Sequence, residues 1–182
     1  VDSPEVIADI LNVCGYDYYT LGNHDCNYGL EYQAAYRSRN IGVCVCQNIT
    51  DEAGNTLFPW KLHSMKNGLR VGIVGIVTDY VNIWEKEENL KGIHITDPFE
   101  AAKNALAQMK EQTDLTICIY HGGFECDLES GAVLSKTTEN VGYRICKELD
   151  IDILLTGHQH MSVPGRDISG TYTVQPCDNA KE

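Results

Sequence analysis

Apolar residues along the 182-residue chain fall into short continuous runs and stretches of helical spacing, most of them closed by a polar turn. SPEVIADILNVCG (3–15) predicts a helix, with Ser3 as N-cap, Pro4 at the first helical position and Gly15 just past the end. YDYYTL (16–21) reads as a strand running into a turn. LEYQAAYRSRN (30–40) reads as a second helix from the spacing of Leu30, Ala34 and Ala35, and GVCVCQN (42–48) as a short buried strand. Residues 50–70 are less regular and predict one or two antiparallel strands, with EAGN (52–55) at the turn and PWKLHS (59–64) at an edge. LRVGIVGIV (69–77) is the most apolar strand candidate, and Gly72 and Gly75 within it predict close approach of another backbone.

Residues 78–95 read as a loop whose EKEEN run (85–89) is a solvated face. The clearest helix follows: Asp97 as N-cap, Pro98 at the first position, Glu100 placed for a capping box, then AAKNALAQMK (101–110). DLTICIYHGG (114–123) is a strand ending in a polar turn, residues 124–138 a solvated loop, and TENVGYRICKELD (138–150) a helix. IDILLTGHQH (151–160) repeats the scheme of apolar strand followed by Gly and His. There is no internal repeat, low-complexity segment or linker, so a single α/β layered structure is the economical reading.

Three apolar strands therefore end in polar clusters: YYTLGNHD (18–25), ICIYHGG (117–123) and ILLTGHQH (153–160). Ligands of layered α/β folds sit outside the carboxyl ends of strands, so the clusters can converge on one site. Amide oxygen and imidazole are donors for borderline and hard divalent ions, and a Gly beside each His lets the backbone bend the ring toward a shared point. Asn23, His24, Asp25, His121, His158 and His160 are the candidates, with Gly22, Gly122 and Gly157 supporting them. His63 and His94 lack that setting and are assigned to packing or surface.

Composition narrows the partners. With 14 Lys+Arg against 26 Asp+Glu, the formal charge of −12 repels polyanions and argues against a nucleic-acid groove. A small phosphate ester would need local positive charge, which bound metal ions can supply. No run approaches the ~18 apolar residues of a membrane span, so no membrane partner is expected, and the N-terminus lacks a signal-peptide profile. Eight cysteines are present, but Cys44, Cys46 and Cys118 lie in strand-like runs and no CxxC pair occurs. Free thiols in a reducing, cytoplasmic compartment are expected over disulfides.

GNHD (22–25), HGG (121–123) and GHQH (157–160), in that order, resemble the signature of the calcineurin-like metallophosphoesterase superfamily. NHDCNYGLEY, TENVGYRICKELDIDILLTGHQH and PGRD narrow the resemblance to the branch holding 5′-nucleotidases and 2′,3′-cyclic-nucleotide 2′-phosphodiesterases. The resemblance implies layered sheets flanked by helices, small nucleotide substrates, and two divalent ions (Mn, Zn, Co, Fe or Mg). It implies Asn23, His121 and His158 as ligands of one ion, His160 as a ligand of the other, and His24 beside the substrate phosphate. Two such ions, about 3.5–4 Å apart, activate water and steady an in-line displacement. His24 could then stabilise the transition state or protonate the departing ribose oxygen, while Asp25 anchors the turn or supports a ligand. In the 5′-nucleotidases an Asp three residues after the motif His orients it. Asn27 stands there in this sequence, which favours the cyclic phosphodiesterases.

The superfamily's DxH and GD motifs are missing: Asp2, Asp9 and Asp17 have no preceding Gly and no His two residues on. GTYTVQPCDNAKE (170–182) resembles the family's closing strand cut short, and the family's C-terminal nucleotide-recognition domain is expected to be absent from residues 1–182. Residues 1–182 are therefore expected to be a partial domain lacking its N-terminal strands, weak or inactive alone and holding at most one loosely bound ion. The missing strands would leave a sheet edge that invites pairing with a second copy. The alternatives are a nucleotidase or nucleotide-sugar hydrolase of the same branch, a non-catalytic module that kept the fold, and a parent protein that is exported or held at the cell wall.

Overall fold

The computed structural model describes residues 4–178. The expected N-cap Ser3, together with Asp2, lies outside the described residues. Helix α1 spans Pro4–Cys14 and stops at Gly15, whose φ of +73° is the left-handed conformation that glycine tolerates. Strand β1 is only Tyr18–Tyr19, helix α2 spans Gly29–Arg39, and strand β2 is Val43–Cys44. β1 and β2 pair in parallel as a two-stranded sheet. The strand expected over 42–48 is thus divided, because after Val45 the chain leaves β2 and joins another sheet.

That second sheet has three strands, with β3 (Cys46–Asp51) between β4 (Thr56–Phe58) and β7 (Ile93–Ile95), all antiparallel. The largest sheet has six. From one edge to the other it runs β10 (Val163–Ile168), β11 (Thr171–Gln175), β9 (Ile153–Thr156), β8 (Leu115–His121), β6 (Arg70–Val77) and β5 (Lys61–Ser64). β6, β8, β9 and β11 are parallel, and the antiparallel strands β5 and β10 close the two edges. β10 was not legible: its VPGRDI carries a Pro and a Gly, and antiparallel pairing with β11 across the short Ser169–Gly170 turn holds it in place.

Helices α4 (Pro98–Met109) and α5 (Gly142–Glu148) cover the sheet. Phe99, Ala102, Ala105 and Met109 of α4 pack with Val74, Ile76, Cys118, Tyr120 and Leu154 of the strands and with Ile145 of α5 in one core. Asp97 caps α4 by accepting from the Glu100 amide at 3.0 Å, while the Glu100 side chain turns to Lys103 at 3.6 Å. A second core joins the sheets through Leu21, Cys46, Ile49, Val77 and Ile95. Gly75 makes this approach feasible, since a Cβ there would collide with the carbonyl oxygen of Val45. Asn48 is completely buried between the sheets, donating to the carbonyls of Val77 (2.7 Å) and Thr96 (2.8 Å) and accepting from Val77 N (3.0 Å).

Two expectations need correction. Residues 78–95 are not a plain loop: they hold a helical turn α3 (Val81–Trp84), a 3-10 turn Glu87–Leu90 and strand β7. The helix expected over 138–150 starts only at Gly142, where the Glu125 carboxylate accepts from the amides of Tyr143 (3.0 Å) and Arg144 (2.7 Å) and serves as its cap from a distant loop. Glu139 and Asn140 are thereby left outside the helix, free to face the strand ends. All eight cysteines are free thiols. Among the described residues no helix is long and apolar enough to cross a membrane.

Candidate functional site

The three polar clusters meet at the carboxyl ends of the parallel strands. β8 delivers His121 as its last residue, and the turn after β9 delivers His158 and His160. A 3-10 turn, Asn23–Cys26, carries Asn23 and His24. This turn is held by Asp25, whose Oδ2 accepts from Gly22 N at 2.6 Å. Burial raises the Asp25 pKa, against the lowering effects of that amide and of His24.

His121 Nε2 lies 2.8 Å from Asn23 Oδ1, and the His121 and His158 rings are 5.3 Å apart between centroids. His158 is held from two sides: Nε2 donates to Glu139 Oε1 at 3.0 Å, and Trp84 stacks on the ring at 5.5 Å and 28°. Burial, together with the neighbouring His158, His24 and His160 rings, pushes His121 down to about 4, so its ring stays neutral at ordinary pH. His160 is exposed and is not drawn into this contact, though it is near enough for its charge to be felt at His121.

The glycines act otherwise than as backbone hinges. Gly22 and Gly122 supply room, because a Cβ on Gly22 would sit 2.8 Å from His121 Cε1 and one on Gly122 would strike the Tyr120 ring. Gly157 has open space around it, and the left-handed conformations after β9 fall on His158 (φ 70°) and His160 (φ 56°) themselves. Non-glycine residues seldom take this conformation, and it concentrates at functional sites.

His24 is exposed on the wall of a cavity of about 620 Å³, which Asn23, Asn27, Trp84, Glu85, Glu139 and His158 also line. Its Nδ1 stands 2.8 Å from Asn27 Oδ1. The turn after β8 is clamped by Gln159, whose side chain accepts from Phe124 N at 2.7 Å and donates to Phe124 O at 2.9 Å, and by Asn140, which accepts from Gly123 N at 2.6 Å. Sequence reasoning missed Trp84, Glu85, Glu139, Asn140 and Gln159. For Glu139 and Asn140 the signal was Gly142, a poor residue for the middle of a helix. His63 and His94 lie elsewhere: His63 Nδ1 meets Tyr18 OH at 3.0 Å, and His94 faces outward from β7.

The donors suit a divalent ion. Adjacent ligands of an octahedral ion with bonds of about 2.1 Å stand about 3 Å apart, close to the 2.8 Å between Asn23 Oδ1 and His121 Nε2, and the His121 ring is neutral as a ligand must be. Among the described residues no three His, Cys, Asp or Glu side chains close on one point. The closest pair of candidate donors includes an amide, and Glu139 holds the His158 nitrogen.

Comparison with known proteins agrees with this arrangement. Residues 4–162 match the family described as calcineurin-like phosphoesterase. The chain is 30% identical over 171 residues to the 2′,3′-cyclic-nucleotide 2′-phosphodiesterase/3′-nucleotidase of Salmonella typhimurium, a match covering 87% of this chain and 26% of that protein. It is 30% identical to the 5′-nucleotidase of Vibrio cholerae, covering 94% of this chain and 34% of that protein. The crystal structure of a Staphylococcus aureus protein assigned as a 5′-nucleotidase, in complex with alpha-ketoglutarate, superposes with a TM-score of 0.88 at 34% identity, over 96% of this chain and 35% of that one. The chain thus spans between 26% and 35% of the length of these relatives. Calcineurin-like phosphoesterases are hydrolases that generally use a binuclear divalent metal centre. A match over most of the chain, on a layered α/β fold whose strand ends gather an amide and imidazoles around one cavity, means that this chain belongs to the calcineurin-like phosphoesterase family.

Proposed function

We propose that this chain carries the catalytic cavity of a metal-dependent nucleotide phosphoesterase of the 2′,3′-cyclic-nucleotide 2′-phosphodiesterase type. The observation that carries the reading is the meeting of Asn23 and His121 at 2.8 Å, with His158 beside them and His24 on the wall of the adjoining cavity. In this reading Asn23, His121 and His158 hold one ion, and His160 belongs to the second. Bound divalent ions supply Lewis acidity toward the phosphoryl group and lower the pKa of water.

The remaining work falls to the chain's own side chains. Among the described residues the cavity wall carries no Lys or Arg and includes Glu85 and Glu139, so a phosphate meets no permanently cationic side chain there. Asn27 holds His24 by Nδ1, which leaves Nε2 to hold or move a proton on the cavity side, the role required at a departing ribose oxygen. Trp84, Val81 and Met161 form an apolar part of the wall, suited to excluding water from the reacting ester.

The Salmonella typhimurium relative supports the cyclic substrate. The Vibrio cholerae and Staphylococcus aureus relatives support a second reading, 5′-nucleotidase action on nucleoside monophosphates. Hydrolysis of 2′,3′-cyclic AMP, 3′-AMP and 5′-AMP by the full-length protein with Mn²⁺ separates them. Preference for the cyclic ester is expected, and a clear preference for 5′-AMP would replace the first reading with the second.

A further inference from the structure

We propose that Glu85 is a positioning residue for His24, acting through Asn27 to set which nitrogen of the ring carries the hydrogen. Asn27 stands between them: its Oδ1 is 2.8 Å from His24 Nδ1, and its Nδ2 donates to Glu85 Oε2 at 2.6 Å. A side-chain amide has one accepting end and one donating end. A carboxylate only accepts, so the end of Asn27 facing Glu85 must be the NH₂, and the oxygen is forced toward His24. That oxygen in turn requires a hydrogen on Nδ1. The neutral ring then has its lone pair on Nε2.

Glu85 is itself held in place. Its Oε1 accepts from Asn89 Nδ2 at 2.9 Å and from Lys86 N at 2.8 Å, and Asn89 Nδ2 also donates to the Asn27 carbonyl at 3.0 Å. Burial works to raise the Glu85 pKa, but the Asn89, Lys86 and Asn27 donors outweigh it, so the group remains a carboxylate. Its neighbour Trp84 stacks on His158. The end of the helical turn between β6 and β7, in a stretch read from sequence as a loop, therefore supports His158 with Trp84 and His24 with the residue after it.

The proposal rests on the reading of His24 as the proton carrier of the reaction, and its test has a readout that needs no turnover. In the full-length protein with ¹⁵N-labelled histidine at about pH 8.5, well above an ordinary histidine pKa, His24 is assigned by its loss in His24→Ala. Long-range ¹H–¹⁵N spectra should show wild-type His24 protonated at Nδ1. Glu85→Gln can present either end of its amide and Glu85→Ala neither, so in both the His24 nitrogens should move toward the average of two tautomers. Turnover of 2′,3′-cyclic AMP should fall about tenfold in kcat with little change in KM, a usual size for the loss of an orienting partner.

Asn27→Asp alone sets two carboxylates against each other and should be impaired. Asn27→Asp combined with Glu85→Gln restores a donor opposite an acceptor and should recover the Nδ1–H form. His24 nitrogens that stay at their wild-type shifts in both Glu85 variants would overturn the proposal. Shifts that average while kcat is unchanged would support the positioning and count against His24 as the proton carrier.

Discussion

His121 lies so close to Gly22 that a β-carbon on the glycine would sit 2.8 Å from Cε1 and 2.9 Å from Nδ1. Gly22 also precedes Asn23, the other half of the 2.8 Å contact, so the glycine's bareness sets the spacing between two candidate ligands. Gly22→Ala should push the His121 ring away and weaken Mn²⁺ binding several-fold in calorimetry. Overpacking of this kind costs about 1–3 kcal/mol, which urea unfolding would register. Binding and stability equal to wild type would show that the ring has room that the geometry denies it.

Metal binding and turnover should separate between two histidines. His121 faces Asn23 inside the site, whereas His24 sits on the exposed wall and is tied to Asn27. In the full-length protein, His121→Ala should lose bound metal and activity together. His24→Ala should keep most of its metal while kcat drops about a hundredfold, the usual range for a general acid or base. Metal analysis beside initial rates checks this, and parallel losses in both variants would move His24 into the metal site.

Strand ends were readable in the sequence because each combines an apolar run with a polar turn, and both His121 and the His158–His160 turn follow such a run. Boundaries were read less well where a tertiary partner decides them. β1 shrinks to two residues because the chain leaves the sheet after pairing with Val43–Cys44, and α5 starts late because Glu125, seventeen positions before Gly142, provides its cap. The supporting residues were illegible for the same reason. Glu85 sits in an acidic run that solvation alone would explain, and only the fold brings it to Asn27 from fifty-eight positions away. Hydrophobic period carries no record of such long-range hydrogen bonds.

Asn48 should matter more to stability than any other polar side chain outside the site. It is fully buried and satisfies both backbone groups of Val77 and the carbonyl of Thr96, joining β3 to the last residue of β6, the register partner of His121. Asn48→Ala removes these bonds and leaves an amide and two carbonyls without their partner. Buried groups left so cost about 1–3 kcal/mol each at first, with relaxation recovering part. A loss of about 3 kcal/mol or more in urea unfolding is expected. A change below about 1 kcal/mol would mean that the two sheets do not depend on this bridge.

Acid sensitivity should be traceable to Asp114, the residue just before β8. The Arg70 guanidinium grips its carboxylate in a fork, 2.7 Å to Oδ1 and 3.1 Å to Oδ2, while the Arg70 amide donates to Oδ2 at 2.9 Å. Hydrogen bonds from Arg70, with its charge, lower Asp114 from 3.8 to about 2. Since the folded value lies below the unfolded one, the unfolded chain binds more protons between them. The contribution is complete above the unfolded value, and it disappears as pH falls from about 4 to about 2. Asp114→Asn should therefore be less stable than wild type at neutral pH, and the two unfolding curves should converge on acidification through that window. The pair is exposed, with side chains 44% and 41% accessible, so the gap should be small and should shrink further in high salt. A difference that stays constant from pH 6 to pH 2 would assign the effect of the substitution to packing at the strand start instead of to the charge of Asp114.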